Sequence, residues 1–351
     1  MNLLLKNLPF GNLPYENLDG AVTMMLKMYE QSPYLPFLTK IEKENIYSRT
    51  LLNIPCIKFK DGKYFFGNTT KAFPVQLVQL EHDISDLDKN IEKYAFESVF
   101  LKKYLKIIER IKPKEAVVNL LGPFSISQIL KTKDDIQLLS EMCYRKFIVL
   151  FLSLRAIWII KKIKALSPKT KPIIVLDEPF LNMAGSVKRS EDDVNQATII
   201  NLFSKVKDKI HEHGGVVCVH SFEKCDWQIP IDAGVDIISF DAFDNPNNLN
   251  IIPEKINNFL SGGGIINWAI VPIAGENYMK SLTNDFVNDK LQKTMKGLIE
   301  AGVNEHLVYS NSSVSVNSDL DELPIIFAEK AIMLCLNVSK KIPQVPSRPQ
   351  P

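Results

Sequence analysis

The polar side chains best suited to chemistry stand, in this chain, where apolar runs stop. Ile173-Ile174-Val175-Leu176 ends in Asp177-Glu178-Pro179, and Val216-Val217-Cys218-Val219 ends in His220. Ile237-Ile238-Ser239-Phe240 runs into Asp241, and Ile265-Ile266 into Asn267-Trp268. Two carboxylates at such a stop are costly to bury unless a cation or a set of hydrogen-bond donors meets them. Asp177 and Glu178 therefore read as a substrate-binding pair, or else as a helix cap with a structural ion pair. His220 offers a metal ligand or an acid–base group near neutral pH, or a ring simply tied to its neighbours. Asp241 suits a site or a turn cap, and Trp268 suits the wall of a pocket. Cys218 shares the side of its run with His220 and reads as a small core residue. Cys225, in a polar loop, is a candidate ligand or an inert thiol. The polar run Ser310-Asn311-Ser312-Ser313 is either one more such exit or a loop that tolerates polarity.

Runs that apolar must be positioned as strands buried on both faces, as in a parallel sheet covered by helices. A first strand at Leu3-Leu4-Leu5, a turn over residues 8–14 that holds Asn12, and a helix from Asp19 to Tyr29 open the series. A brief strand at Leu35-Pro36-Phe37 follows. Residues 57–66 alternate around Asp61-Gly62 and predict a β-hairpin excursion. One long helix is expected from Asp86 to Ile111, then a strand from Ala116 to Leu121 ending at Gly122-Pro123. Strands and helices alternate from there: a helix over about 191–212, one over 253–260, one over 285–301, a strand from His306 to Ser310 and a last helix from Leu323 to Val338. Gly262-Gly263-Gly264 precedes a strand rather than opening a helix, so it reads as a turn and not a phosphate cradle. About eight strand–helix units make the expected fold α/β, a single (β/α)8 barrel over residues 1–340 with its functional side chains at the strand exits. The Pro-rich end, 341–351, reads as a disordered tail.

Bulk properties exclude several classes. With 42 basic and 40 acidic residues the formal charge is +2, and no polyanion partner is implied. No cluster of Lys and Arg with interleaved aromatics suggests nucleic-acid binding. The five cysteines are scattered without a CxxC, which fits a reducing, cytoplasmic setting. The N-terminus is broken too early by Pro9 to read as a signal peptide. The run Phe147 to Ile160 contains Arg155 and is shorter than the ~20 residues a membrane span needs, so it reads as a buried or dimer-facing helix.

In their order and spacing these exits resemble the catalytic domain of cobalamin-independent methionine synthase. Phe10-Gly11-Asn12-Leu13-Pro14 is similar to that family's opening Ile-Gly-Ser-Leu-Pro turn. Leu35-Pro36-Phe37, Gly122-Pro123, Asp177-Glu178-Pro179, the block from His220 through Asp226-Trp227 to Asp241, and Trp268-Ala269-Ile270-Val271-Pro272 follow in the family's sequence. The superfamily also contains uroporphyrinogen decarboxylase and corrinoid-dependent methyltransferases. The resemblance covers about residues 8 to 335. It implies a (β/α)8 barrel and methyl transfer to a small thiol such as homocysteine from a folate or corrinoid donor, with a corrinoid protein as a potential partner. Zinc, which keeps a bound thiol deprotonated, is the cofactor it implies. Asp177 then matches the acid that holds the homocysteine amine, and Asn12 meets the carboxylate. The ligand set departs from the family: His220 is kept, but Phe222 stands at the following cysteine, Asp241 at an acid that is normally Glu, and Ser313 at the last cysteine. Cys225 is the candidate replacement ligand beside His220 and Asp241, because His plus Asp alone would hold zinc weakly. A barrel that has lost catalysis and survives as a small-molecule or partner-binding protein is the alternative. A tetrapyrrole decarboxylase would need cations near the first strand, where only Lys6 stands.

Overall fold

The computed structural model describes residues 6–9, 11–41, 44–67, 72–132, 137–186 and 195–343. Nine strands are described: β1 (Tyr34–Leu35), β2 (Ile57–Lys60), β3 (Lys63–Phe66), β4 (Glu115–Leu121), β5 (Lys171–Asp177), β6 (Val216–Ser221), β7 (Ile237–Asp241), β8 (Ile265–Val271) and β9 (Ser312–Val316). Seven of them form one curled parallel sheet in the order β1-β4-β5-β6-β7-β8-β9, each joined to the next through helices. β4 and β6 to β9 are buried at every position, as the unbroken apolar runs require. β2 and β3 make the separate hairpin; Asp61 and Gly62 both take positive φ (50° and 75°), the geometry a two-residue turn needs there.

Among the described residues the expected closed eight-stranded barrel is thus replaced by seven strands curled in a barrel-like fold, and the first strand expected at Leu3-Leu4-Leu5 lies outside them. Residues 6–9 and 11–13 lie between β9 and β1 without forming a named strand. Asn7 bridges Val314 of β9, and Asn12 bridges Phe37 beyond β1. Pro9 and Pro14 remove backbone donors and Gly11 turns at φ 91°, so this segment makes single bridges instead of a ladder.

The apolar run Phe147 to Ile160 lies inside the helix Met142–Leu166, buried along its whole length. It packs against helices Phe73–Ser85, Leu101–Ile111, Pro123–Ile129 and Gln196–Glu212, and so serves as a core helix that is apolar all round. Among the described residues no helix is long and apolar enough to cross a membrane.

Two predicted elements differ. The long helix expected from Asp86 to Ile111 is broken into Leu87–Asn90, a 3-10 turn Ile91–Tyr94 and Leu101–Ile111, and a further helix, Phe73–Ser85, precedes it. Buried Asp83 folds the chain back here, accepting from Gln79, Lys93 and Tyr94 (2.7, 3.1 and 2.7 Å). The strand expected at His306–Ser310 is a helical turn, Glu305–Ser310, capped by Asn304, and β9 begins two residues later. The helix predicted to start near 191 is described from Gln196. The Pro-rich end lies outside the described residues beyond 343.

Candidate functional site

Parallel pairing aligns Leu121, Asp177, His220, Ser239, Asn267 and Ser313 in one row across β4 to β9. Side chains on one strand alternate between faces, so this row and the residues two steps from it share the concave face of the curled sheet. Asp177 ends β5, His220 stands one residue from the end of β6, and Asn267 stands four from the end of β8. The row therefore runs from the strand exits into the interior.

Its inner part is a closed hydrogen-bond network. His220 Nδ1 lies 2.8 Å from Ser239 Oγ, and Asn267 Nδ2 donates to Ser239 Oγ and Ser315 Oγ at 2.8 and 2.7 Å. Ser313 Oγ donates to Asn267 Oδ1 at 2.8 Å. Burial pushes the His220 ring down to about 3, so it is neutral at ordinary pH. Its ring stands edge-on to Phe222, with centroids 4.3 Å apart.

The outer part is acidic. Burial, then the nearby carboxylates of Asp319 and Glu178, push half-buried Asp177 up to about 8. Asp319, in the turn after β9, is also raised, chiefly by burial, although it accepts from Asn12 N–H at 2.9 Å. Asp321 accepts from Asn12 Nδ2 (3.1 Å) and Thr39 Oγ1 (2.7 Å). Burial, then the charge of Asp177, raises the Tyr47 phenol. Asn12 and Asp177 are thus brought to one rim, while Asp319, Asp321 and Tyr47 were missed in the sequence. The available signal was Asp319-Leu320-Asp321 just beyond an alternating serine–valine run, hidden because that run did not read as a strand.

The other candidates are engaged in contacts of their own. Glu178, on the opposite face from Asp177, is fully buried against the start of helix Pro123–Ile129. It accepts from Phe124 N–H, Ser125 N–H and Ser125 Oγ–H at 2.9, 2.7 and 2.6 Å. Burial raises it to about 7 against those donors. Trp268 is likewise on the outer face, packed on Phe240 (centroids 5.5 Å apart) and donating to Ser312 Oγ at 2.7 Å. Asp241, two residues beyond Ser239, ends β7 on the concave face, but it accepts from the amides of Phe243 and Asp244 at 3.0 and 3.1 Å, closing its own turn, and burial raises it to about 6. Cys225 contacts Ser221 Oγ and the Glu223 carbonyl at 3.2 and 3.1 Å, and burial pushes its thiol up to about 12.

A zinc ion would need a gathered, deprotonated donor set. Among the described residues no three His, Cys, Asp or Glu side chains come together as one. Asp241 is engaged by backbone amides and Cys225 is held as a thiol, so these residues do not fit the metal. A cavity of about 870 Å³ lies away from the rim between helices Phe73–Ser85, Met142–Leu166 and Gln196–Glu212.

No protein family and no curated protein matches the sequence. Among solved structures the chain is similar to a methyltransferase from Methanosarcina mazei, with a TM-score of 0.51 and 11% identity over 96% of this chain and 93% of that one. Likeness at that identity is likeness of fold.

Proposed function

We propose that this chain is a methyltransferase-like barrel enzyme that holds a small amine-bearing substrate at its strand exits, with a thiol such as homocysteine as acceptor and a folate or corrinoid donor. The observation that carries this reading is the pair of carboxylates Asp177 and Asp319 at the rim, near enough that the charge of Asp319 raises Asp177. Two carboxylates that share a partly dry site repel when both ionise, and an ammonium group between them relieves that repulsion. Asn12, held by both Asp319 and Asp321, lends its amide to the same rim. The fold shared with a methyltransferase supports the reaction class. The chain's own part is to bind and orient the substrate; zinc activation through His220, Asp241 and Cys225 is left out of the scheme.

Isothermal titration of homocysteine tests the binding half. Wild-type protein should bind, and Asp177→Asn should weaken binding at least about tenfold, the loss of one charge-assisted contact. Absence of heat with wild-type protein withdraws the amine site.

A second reading, a binding protein without turnover, is favoured by Phe222 and Ser313. Both stand where the family places sulfur ligands, and both are engaged, one against the His220 ring and one on Asn267. Methionine formation from methylcobalamin or methyltetrahydrofolate, followed by mass spectrometry, separates the two.

A further inference from the structure

Asn119 sits in β4 on the same concave face, two residues before Leu121. It pairs with Val175, and Leu121 pairs with Asp177, so Asn119 lies diagonally inward from Asp177 on the neighbouring strand. Strand spacing and rise put their Cα atoms about 8 Å apart. The residue is 1% exposed, and among the described residues neither Nδ2 nor Oδ1 meets a hydrogen-bond partner. Another buried amide of this face, Asn267, is different: Ser239, Ser313 and Ser315 satisfy both of its ends. A buried, unpaired amide is a cost that folding alone gives no reason to keep, since an aliphatic side chain of similar size would remove it. Its neighbours Val117, Leu121 and Val175 are apolar and Cys218 carries a thiol, while Tyr34, paired with Val117 on the other adjoining strand, brings a buried phenol to the same face.

We infer that Asn119 is the floor of the rim site and reads a neutral polar group, a hydroxyl or carbonyl, on the far end of the ligand whose amine Asp177 holds. This rests on the amine reading of the rim. The ligand class is then a short aliphatic amine with a second, uncharged polar group a few bonds away. The apolar wall between the two anchors accommodates the methylenes. An amide suits this task because it can donate from Nδ2 to a carbonyl or accept at Oδ1 from a hydroxyl, without adding charge beneath two carboxylates.

The test is titration of the full-length chain with aminobutanol and with butylamine, by calorimetry and ligand-observed NMR. Wild-type protein should prefer aminobutanol by about tenfold, the value of one well-formed buried hydrogen bond. Asn119→Leu should erase that preference while butylamine binds as before, which also reports that the variant is folded. Asn119→Ser, smaller and still polar, carries the same test should the leucine variant fail to fold, and should lower the preference without touching butylamine. If the preference survives both substitutions, or wild-type protein shows none, Asn119 merely solvates an internal water and the inference is wrong. If neither amine binds, or Asp177→Asn leaves both unaffected, the rim reading itself fails. The two failures are therefore distinct.

Discussion

Asp177 and Glu178 are neighbours in sequence, yet the pleat of β5 sends them to opposite faces and to different work. Read together, they offered a binding pair or a cap with an ion pair; the structure gives the cap to Glu178 and the rim to Asp177. Glu178 is locked by three donors at the start of helix Pro123–Ile129, and the space for it exists because residue 122 is glycine. A Cβ at Gly122 would fall 2.1 Å from Glu178 Oε1 and 2.4 Å from its Cδ. Gly122→Ala should therefore destabilise the chain by several kcal/mol, on the order of a severe overpacking. Glu178→Ala should cost about 1–3 kcal/mol for the donors left unpaired. Because the two changes act on one contact, the double variant should cost clearly less than the sum in urea titrations. Additive costs would show that the clash is relieved elsewhere. Trp268 illustrates the same parity: Asn267, one residue earlier, takes the inner face, so the aromatic ring packs among helices.

At the scale of elements, apolar pattern was legible wherever a strand is buried on both faces, which is why β4 to β8 could be read from residue type alone. β9 could not, because its inner positions Ser313 and Ser315 are polar and serve Asn267, leaving too few apolar residues to signal a strand. The helix Met142–Leu166 was legible as apolar, but the choice between a core position and a dimer face was not, since a uniform run carries no direction. Its Arg155 supplies the missing information. The guanidinium is fully buried, donates to the carbonyls of Tyr94 (3.1 Å) and Ala95 (2.6 Å), and also reaches the carbonyl of Leu52. One side chain thus ties the segment between two broken helices to the end of helix Ile46–Leu51. Arg155→Leu should lower stability by about 3 kcal/mol or more, since buried carbonyls lose charge-assisted partners. Arg155→Lys should recover only part of this, because a single ammonium cannot span the fork. Denaturant midpoints of the two variants decide it; equal midpoints would mean that charge alone matters.

Over the whole molecule, the rim gathers acids from distant parts of the chain without a cation among the described contacts, and this makes stability depend on pH in a definite direction. Burial raises Asp177 from 3.8 to about 8 and Glu178 from 4.5 to about 7. Between those limits the folded chain holds protons that the unfolded chain has released, so stability falls as pH rises. Below 6.5 the buried His220, lowered to about 3, works in the opposite sense, because the unfolded ring takes up a proton there. Buried thiols such as Cys225 begin to matter only above their ordinary value of 9.0. The clean window is therefore about pH 6.5 to 8.5, where the melting temperature should drop steadily. Asp177→Asn, which cannot ionise, should flatten that slope and raise stability at the alkaline end. A bound amine should do the same by a different route: it favours the ionised carboxylate, so the stabilisation it gives should grow with pH across the window. Melting curves with and without butylamine at each pH measure both effects. A wild-type melting temperature that is level or rises from pH 6.5 to 8.5 would show that Asp177 is ionised and already compensated, and the rim would lose its claim to a cationic ligand.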